Sequence, residues 1–286
     1  MTEAALVFDD GPGAGMGHRR RMSALASALE ELGVRARMVA SDGGPVDAEV
    51  VVVDSYRWRV DEPGRFAGRV VAAIDDLARD LACDVVVDPN PGAPLEIHHA
   101  ARRALVGPKY ALVDPSLAGM TARAIANEVT TALVASGASD LEGVGSRMAA
   151  ELARLLPGVQ VRLAVGPWSN SEVPEGVVGV RTDSGLEPAL ADADIVVTAA
   201  GVTLVEALAL GRPAVAVVLA DNQRRAARGV DAAGAALVAG VADAPEVAAS
   251  LARDAARRRS LAVTARAMVD GHGAQRVASA LLEASG

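Results

Sequence analysis

Hydrophobic and polar positions along the chain fall into a repeating pattern. Short runs of β-branched residues alternate with longer Ala/Leu/Arg stretches of helical period. Such a pattern predicts parallel βαβ units whose sheets are covered on both faces, and hence an α/β class. In the first half the expected strands are Ala4 to Phe8, Arg35 to Val39, Val50 to Val53, Val70 to Ile74 and Val85 to Val87. His18 to Leu32 reads as a helix, ended by Gly33 as a left-handed cap. A second series predicts strands at Thr130 to Val134, Val159 to Val165, Val177 to Val180, Ile195 to Thr198 and Ala214 to Leu219. Helices at Arg147 to Leu156, Thr203 to Leu210 and Asn222 to Ala233 alternate with them. Val113 to Asn127, with Asp114-Pro115 and Gly119, reads as the linker. Two Rossmann-like domains facing one another across a cleft are expected, over residues 1–126 and 127–286. About Pro245 to Ala284, the chain is Ala/Arg-rich helix, and the last helix is expected to cross back onto the first domain.

Composition narrows the function. At 286 residues and 51% hydrophobic, the chain is long enough for two cores and too apolar for disorder. Only 2% is aromatic and the net charge is -8, which argues against nucleic acid as a partner. The one lysine, Lys109, follows Gly107-Pro108 rather than a glycine-rich loop, so a Walker phosphate site is absent. A lone cysteine, Cys83, excludes a disulfide framework, an iron–sulfur cluster and a Cys-rich zinc site, and it reads as a small buried hydrophobe. No membrane span or secretory leader is read, so a cytoplasmic location is expected. His98 and His99 point apart on any regular element and have no carboxylate at helical spacing, so neither a metal nor a cofactor is expected.

In open parallel sheets, ligands bind beyond the carboxyl ends of the strands, where loops enter helices with unpaired N–H groups. Two loops have the composition for this. The first runs from Asp9 to Arg19 and is dense in glycine. It fails the dinucleotide fingerprint, because a GxGxxG frame started at Gly11 meets Met16 and one started at Gly13 meets His18. It does place His18 in the first turn of a helix, where the positive helix end favours the neutral imidazole and hence a general base. Asp9, at the strand end, is the expected orienting carboxylate. The alternative is an ordinary helix-start histidine. Of Arg19, Arg20 and Arg21, which cannot share one face, one is expected to meet a phosphate.

The second loop is Thr198 to Thr203. Gly201 allows close approach of a diphosphate, Thr203 can cap and donate, and Glu206 suits a ribose diol unless it is an exposed helix residue. Asp221-Asn222-Gln223 offers amides or, equally, polar caps. Asp75-Asp76 suits a sugar hydroxyl or the cap of a following helix.

An ordered set of segments resembles a known family. Gly15-Met16-Gly17-His18-Arg19-Arg20-Arg21, Val53-Asp54-Ser55-Tyr56, Ile74-Asp75-Asp76-Leu77-Ala78, Cys83-Asp84, Gly107-Pro108-Lys109-Tyr110-Ala111-Leu112, Ser136-Gly137-Ala138-Ser139-Asp140, Ala200-Gly201-Val202-Thr203-Leu204-Val205-Glu206 and Ala220-Asp221-Asn222-Gln223 are similar to the motifs of the PseG family. These are UDP-sugar hydrolases of pseudaminic acid biosynthesis, related to MurG glycosyltransferases. The resemblance implies a GT-B fold and metal-independent, inverting cleavage of the anomeric C–O bond of a UDP-sugar by water. The alternatives are a GT-B glycosyltransferase with a small-molecule acceptor and a non-catalytic nucleotide-sugar binder. It implies that His18 is the catalytic residue, and that Gly201, Val202, Thr203, Glu206, Asn222 and Gln223 surround the nucleotide. Gly15, Met16, Gly17, Arg21, Tyr56, Asp75, Asp76, Tyr110 and Ser139 are the corresponding substrate-side candidates. Where the family has Gly-Gly in its phosphate loop, this chain has Ala200-Gly201, and Gly137-Ala138 stands in another glycine pair. The added methyl groups narrow the room for a phosphate.

Overall fold

The computed structural model describes residues 2–11, 13–41, 44–93, 95–140, 142–169, 171–182 and 185–286. Pro12, inside the first candidate loop, lies outside them. The chain forms two compact units, residues 1–116 with 271–286, and residues 117–270.

The first unit contains β1 (Glu3–Phe8), α1 (Gly17–Glu31), β2 (Arg35–Ala40), β3 (Val46–Asp47), β4 (Val50–Asp54), β5 (Phe66–Ala67), β6 (Val70–Ile74), β7 (Val85–Asp88) and β8 (Arg103–Val106). Six of these strands form one parallel sheet in the order β2-β1-β4-β6-β7-β8, and β3 pairs separately with β5. Because side chains alternate across a strand, Leu6, Phe8, Val50, Val52 and Ile74 pack on one face, while Ala5, Val7, Val51, Val53 and Ala73 pack on the other. Helix α1 covers the first face with Met22, Leu25 and Leu29. Truncating Leu25 to alanine there costs about 3 kcal/mol. The helix ends as the sequence predicts: Gly33 takes φ +77, and the N–H groups of Gly33 and Val34 reach back to Glu30 and Leu29.

A short helix, α2 (Ser116–Gly119), leads into the second unit. That unit holds β9 (Thr131–Ala135), α3 (Val144–Leu155), β10 (Gln160–Val165), β11 (Val178–Arg181), α4 (Glu187–Asp192), β12 (Ile195–Ala199), α5 (Val202–Ala209), β13 (Ala214–Val217), α6 (Gln223–Ala232), β14 (Leu237–Ala239), α7 (Ala244–Arg253) and α8 (Ala255–Met268). Its six parallel strands run β11-β10-β9-β12-β13-β14. This is the doubly wound Rossmann order, with its reversal between β9 and β12. In the first sheet the order reverses between β1 and β4.

The last helix, α9 (Gly273–Ser285), packs in the first unit, where Ala274, Val277, Ala278 and Leu281 join the core under α1. Gly273 permits this approach, since a Cβ there would sit 2.1 Å from the carbonyl oxygen of Ala111. Much of the expected linker is instead part of the second unit. The Arg123 N–H bonds to Ala191, and the buried Arg258 donates to the carbonyls of Ala126 and Asn127. Strands β3, β5, β8 and β14 escape sequence reading because two to four residues are too short to show a period. Among the described residues, no helix is long and apolar enough to cross a membrane.

Candidate functional site

The face of α1 that anchors it to the sheet continues to its N-terminal end, where His18 and Arg21 occupy the same side three residues apart. Both are carried over the carboxyl ends of β1 and β4, where the strand order reverses. Asp54, the last residue of β4, meets them there. His18 Nδ1 lies 2.7 Å from Asp54 Oδ1, with the His18 ring only 2% exposed and Asp54 1%. A carboxylate only accepts, so Nδ1 carries a proton, and in the neutral tautomer this selects, Nε2 is the basic nitrogen. Arg21 grips the same carboxylate with Nε and Nη2, each at 2.8 Å, and places Nη1 2.8 Å from Asp76 Oδ2. Its Nη2 also lies 3.1 Å from His18 Nδ1; since that nitrogen is already donating to Asp54, this is a close contact of two groups on one oxygen. Tyr56 completes the set. Its hydroxyl donates to Asp76 at 2.8 Å, and its ring meets the His18 ring at 4.4 Å and 76°, an edge-to-face pair.

Burial alone pushes the Asp54 carboxyl up, but Arg21 and then His18 outweigh it and hold it below the usual carboxylate range. Burial pulls the Arg21 guanidinium down, and Asp54 and Asp76 more than restore it, so it is a permanent cation. Burial and the Asp76 charge raise the Tyr56 phenol well above its ordinary value, so it remains a neutral donor.

Asp9 does not orient the imidazole, contrary to the sequence reading. Its carboxylate accepts from the hydroxyls of Ser41 and Ser55 and from the Tyr56 N–H, so it braces the loop after β4. The orienting group is Asp54, whose proximity to His18 depends on the pairing of β1 with β4. Arg21, a substrate-side candidate in the sequence reading, instead spends Nε, Nη1 and Nη2 on the carboxylates of Asp54 and Asp76, one contact each. Asp75 accepts from the N–H groups of Leu77 and Arg79 and from Arg79 Nε, so it shapes its own turn. Asp76 joins the His18 group through Arg21 and Tyr56. Gly15 has φ +72 and turns the chain into α1, while Met16 caps that helix and Gly17 is its first residue. Tyr110 is placed elsewhere. It follows β8, four strands along the sheet from β1, and packs against the core beside α9. Cys83 is half-buried, its thiol 3.3 Å from the Val85 carbonyl.

In the second unit the candidate residues gather at the corresponding edge. Gly201 caps α5 directly after β12, and Val202 and Thr203 supply first-turn amides that a helix leaves without intrahelical acceptors. Gln223 opens α6 after the neighbouring β13. Its Oε1 accepts the Leu219 N–H at 2.8 Å, and its Nε2 lies 4.0 Å from where a Gly201 Cβ would stand. The turns after β12 and β13 are therefore neighbours. Asn222 caps α6, and Glu206 is 2% exposed within α5 rather than a surface residue. Ser139 lies half-buried in the turn after β9. That turn is closely packed, since a Cβ on Gly166 would sit 2.3 Å from the Ala138 carbonyl. Ser136, the residue after β9, opens one of the motif-like segments but was given no role in the sequence reading; its buried hydroxyl has no partner among the described residues. Its signals were that motif and its position, a hydroxyl where the strand order reverses.

Comparisons with known proteins follow this geometry. No curated protein matches the sequence. Residues 149–280 match the glycosyltransferase family 28 C-terminal domain. MurG of Acinetobacter baumannii superimposes with a TM-score of 0.65 at 15% identity, over 99% of this chain and 100% of that one. The spinosyn rhamnosyltransferase SpnG gives 0.62 at 16%, over 98% and 100%. The Streptomyces sp. SF2575 glycosyltransferase SsfS6, complexed with thymidine diphosphate, gives 0.58 at 14%, over 97% and 99%. At these identities the likeness is one of fold. The chain thus has the GT-B fold of MurG-like glycosyltransferases, with a glycosyltransferase family 28 C-terminal domain match in its second half.

Proposed function

We propose that the protein transfers a sugar from a UDP-sugar to a small hydroxyl acceptor with inversion, using His18 as general base. The observation that carries this reading is the His18–Asp54 pair. It fixes the tautomer in which Nε2 is the basic nitrogen, beyond the carboxyl edge of a parallel sheet where such sites form. In the step proposed, Nε2 takes the acceptor proton and the acceptor oxygen bonds to the anomeric carbon. The anomeric C–O bond breaks with its electron pair going to the departing diphosphate. The first-turn amides of α5, with Thr203, Gln223 and the Ser136 hydroxyl, would offset the charge that grows on that diphosphate. Glu206 and Asn222 are the remaining nucleotide-side candidates. The reading assigns the reaction to the cytoplasm, the compartment that fits a single cysteine.

Hydrolysis, with water in place of the acceptor, is the second reading. A specific observation favours it: the His18 ring is 2% exposed and edged by Tyr56, which suits a very small nucleophile. Incubation with a panel of UDP-sugars in oxygen-18 water separates the two. Release of UDP only with an added acceptor supports transfer, whereas acceptor-independent release with label in the free sugar supports hydrolysis. UDP binding without turnover under any condition removes both.

A further inference from the structure

Four strands of the first sheet reach an aspartate at their carboxyl ends: Asp9 after β1, Asp54 in β4, Asp75 after β6 and Asp88 in β7. The proposed mechanism leaves Asp88 unused, yet it is fully buried and paired with a buried histidine, His98. His98 Nε2 lies 3.2 Å from Asp88 Oδ2, and its Nδ1 lies 3.2 Å from the carbonyl oxygen of Arg79. The carbonyl can only accept, so Nδ1 carries a proton. A second proton must lie between Nε2 and Oδ2, because two lone pairs would otherwise face each other across a dry contact. The other carboxylate oxygen of Asp88 accepts from Asn90, through its N–H at 3.2 Å and its Nδ2 at 3.3 Å. Asn90 Nδ2 also lies 3.3 Å from the carbonyl oxygen of Asp76.

One buried carboxylate thus holds two side chains, and these hold the carbonyls of Asp76 and Arg79, the two ends of a single turn. On its other side that turn presents the Asp76 carboxylate to Arg21 and Tyr56. Arg21 in turn grips Asp54, which orients His18. Resting on the reading of His18 as the base, we propose that His98, held by Asp88, is a positioning residue for His18 and acts through the Asp76–Arg79 turn, Arg21 and Asp54. His98 touches no ligand in this scheme.

The test uses the full chain with His98→Ala, Asp88→Asn, Asp76→Asn and the His98→Ala/Asp76→Asn double variant. Asp88→Asn keeps the bonds to His98 and Asn90, since the new amide donates to Nε2 of a neutral His98 while Oδ1 still accepts from Asn90. We expect His98→Ala to lower kcat roughly tenfold per folded molecule with little change in KM for the nucleotide sugar. Asp88→Asn should stay within about twofold of the wild type. The double variant should be no slower than Asp76→Asn alone, because both changes break one chain. The four histidines give a sparse nitrogen-15 NMR spectrum, in which His18 signals should move in His98→Ala and hold in Asp88→Asn. If His98→Ala does not fold, His98→Gln takes its place in every arm. A lower melting temperature with unchanged kcat, additive losses in the double variant, or unmoved His18 signals would each overturn the proposal. A wild type without turnover would sink the general-base reading instead, and the His18 signals would still decide the coupling.

Discussion

The carboxyl edges of the two sheets solve the same topological problem with different chemistry. In the first unit the edge is ionic and internally complete. Asp54 and Asp76 share the buried Arg21, Asp75 holds Arg79, and Asp88 holds His98, each within 3.2 Å. In the second unit the edge is built from glycine turns, helix amides and neutral side chains, and the buried Ser136 hydroxyl has no partner among the described residues. On the proposed reading, the first arrangement holds the base in place through ion pairs internal to its own unit. On the same reading, the second offers neutral donors to an anion, and an unsatisfied buried hydroxyl costs stability.

The largest effect that would break this contrast is expected at Arg21. Removing one partner of a buried ion pair leaves an uncompensated charge, so Arg21→Met should cost about 3–5 kcal/mol in urea unfolding. Its counterpart in the second unit, the exposed Arg224–Asp221 pair, should lose under about 0.5 kcal/mol on Arg224→Met. Equal losses would remove the distinction. Next, His18→Ala should reduce turnover at least about 100-fold while calorimetric UDP affinity is nearly unchanged, because the proposed base and the proposed nucleotide contacts belong to separate units.

Acid should weaken the first unit selectively. Asp9 and Asp54 are both held below 3.8, the former by Ser41, Ser55 and the Tyr56 N–H against its burial, the latter by Arg21 and His18 against its burial. Their ionised forms therefore favour the folded state; that contribution is complete above 3.8 and is lost as pH falls below it. Each group can contribute a slope of up to about 1.4 kcal/mol per pH unit, and Asp9→Asn should flatten the acid limb of a melting curve. A smaller effect of opposite sign is expected at Ser136. Ser136→Ala deletes an unsatisfied buried hydroxyl, so the empty protein should gain about 1 kcal/mol while UDP affinity falls severalfold. A loss of stability would show that the hydroxyl is already satisfied. The smallest effect is at Cys83, whose thiol burial pushes up to about 12, so alkylation at pH 8 should be far slower than that of free cysteine.

How much of this was legible in the sequence depends on the range of the interaction. The glycine turn before α1, the cap at Gly33, the turn at Gly201 and the placement of His18 in a first helical turn all come from neighbours in the chain. The exchange of Asp9 for Asp54 was not legible. Both aspartates end a hydrophobic strand, and only the pairing of β1 with β4 decides which one faces the imidazole. Arg21 misled for a related reason: a basic residue beside a glycine loop suits a phosphate until three dimensions bring two carboxylates to it. Tyr110 sits in a motif-like segment, yet the strand order puts it at the far edge of the sheet.

The sequence by itself determined the alternation of strands and helices, the two-unit α/β plan and the loops able to receive a ligand, because hydrophobic period and turn chemistry act over a few residues. Only the tertiary structure decided which carboxylate serves which cation. His18 and Asp54 are 36 residues apart, Arg21 and Asp76 are 55, and an ion pair between buried groups forms only where strand order and helix packing have already closed those distances and excluded water.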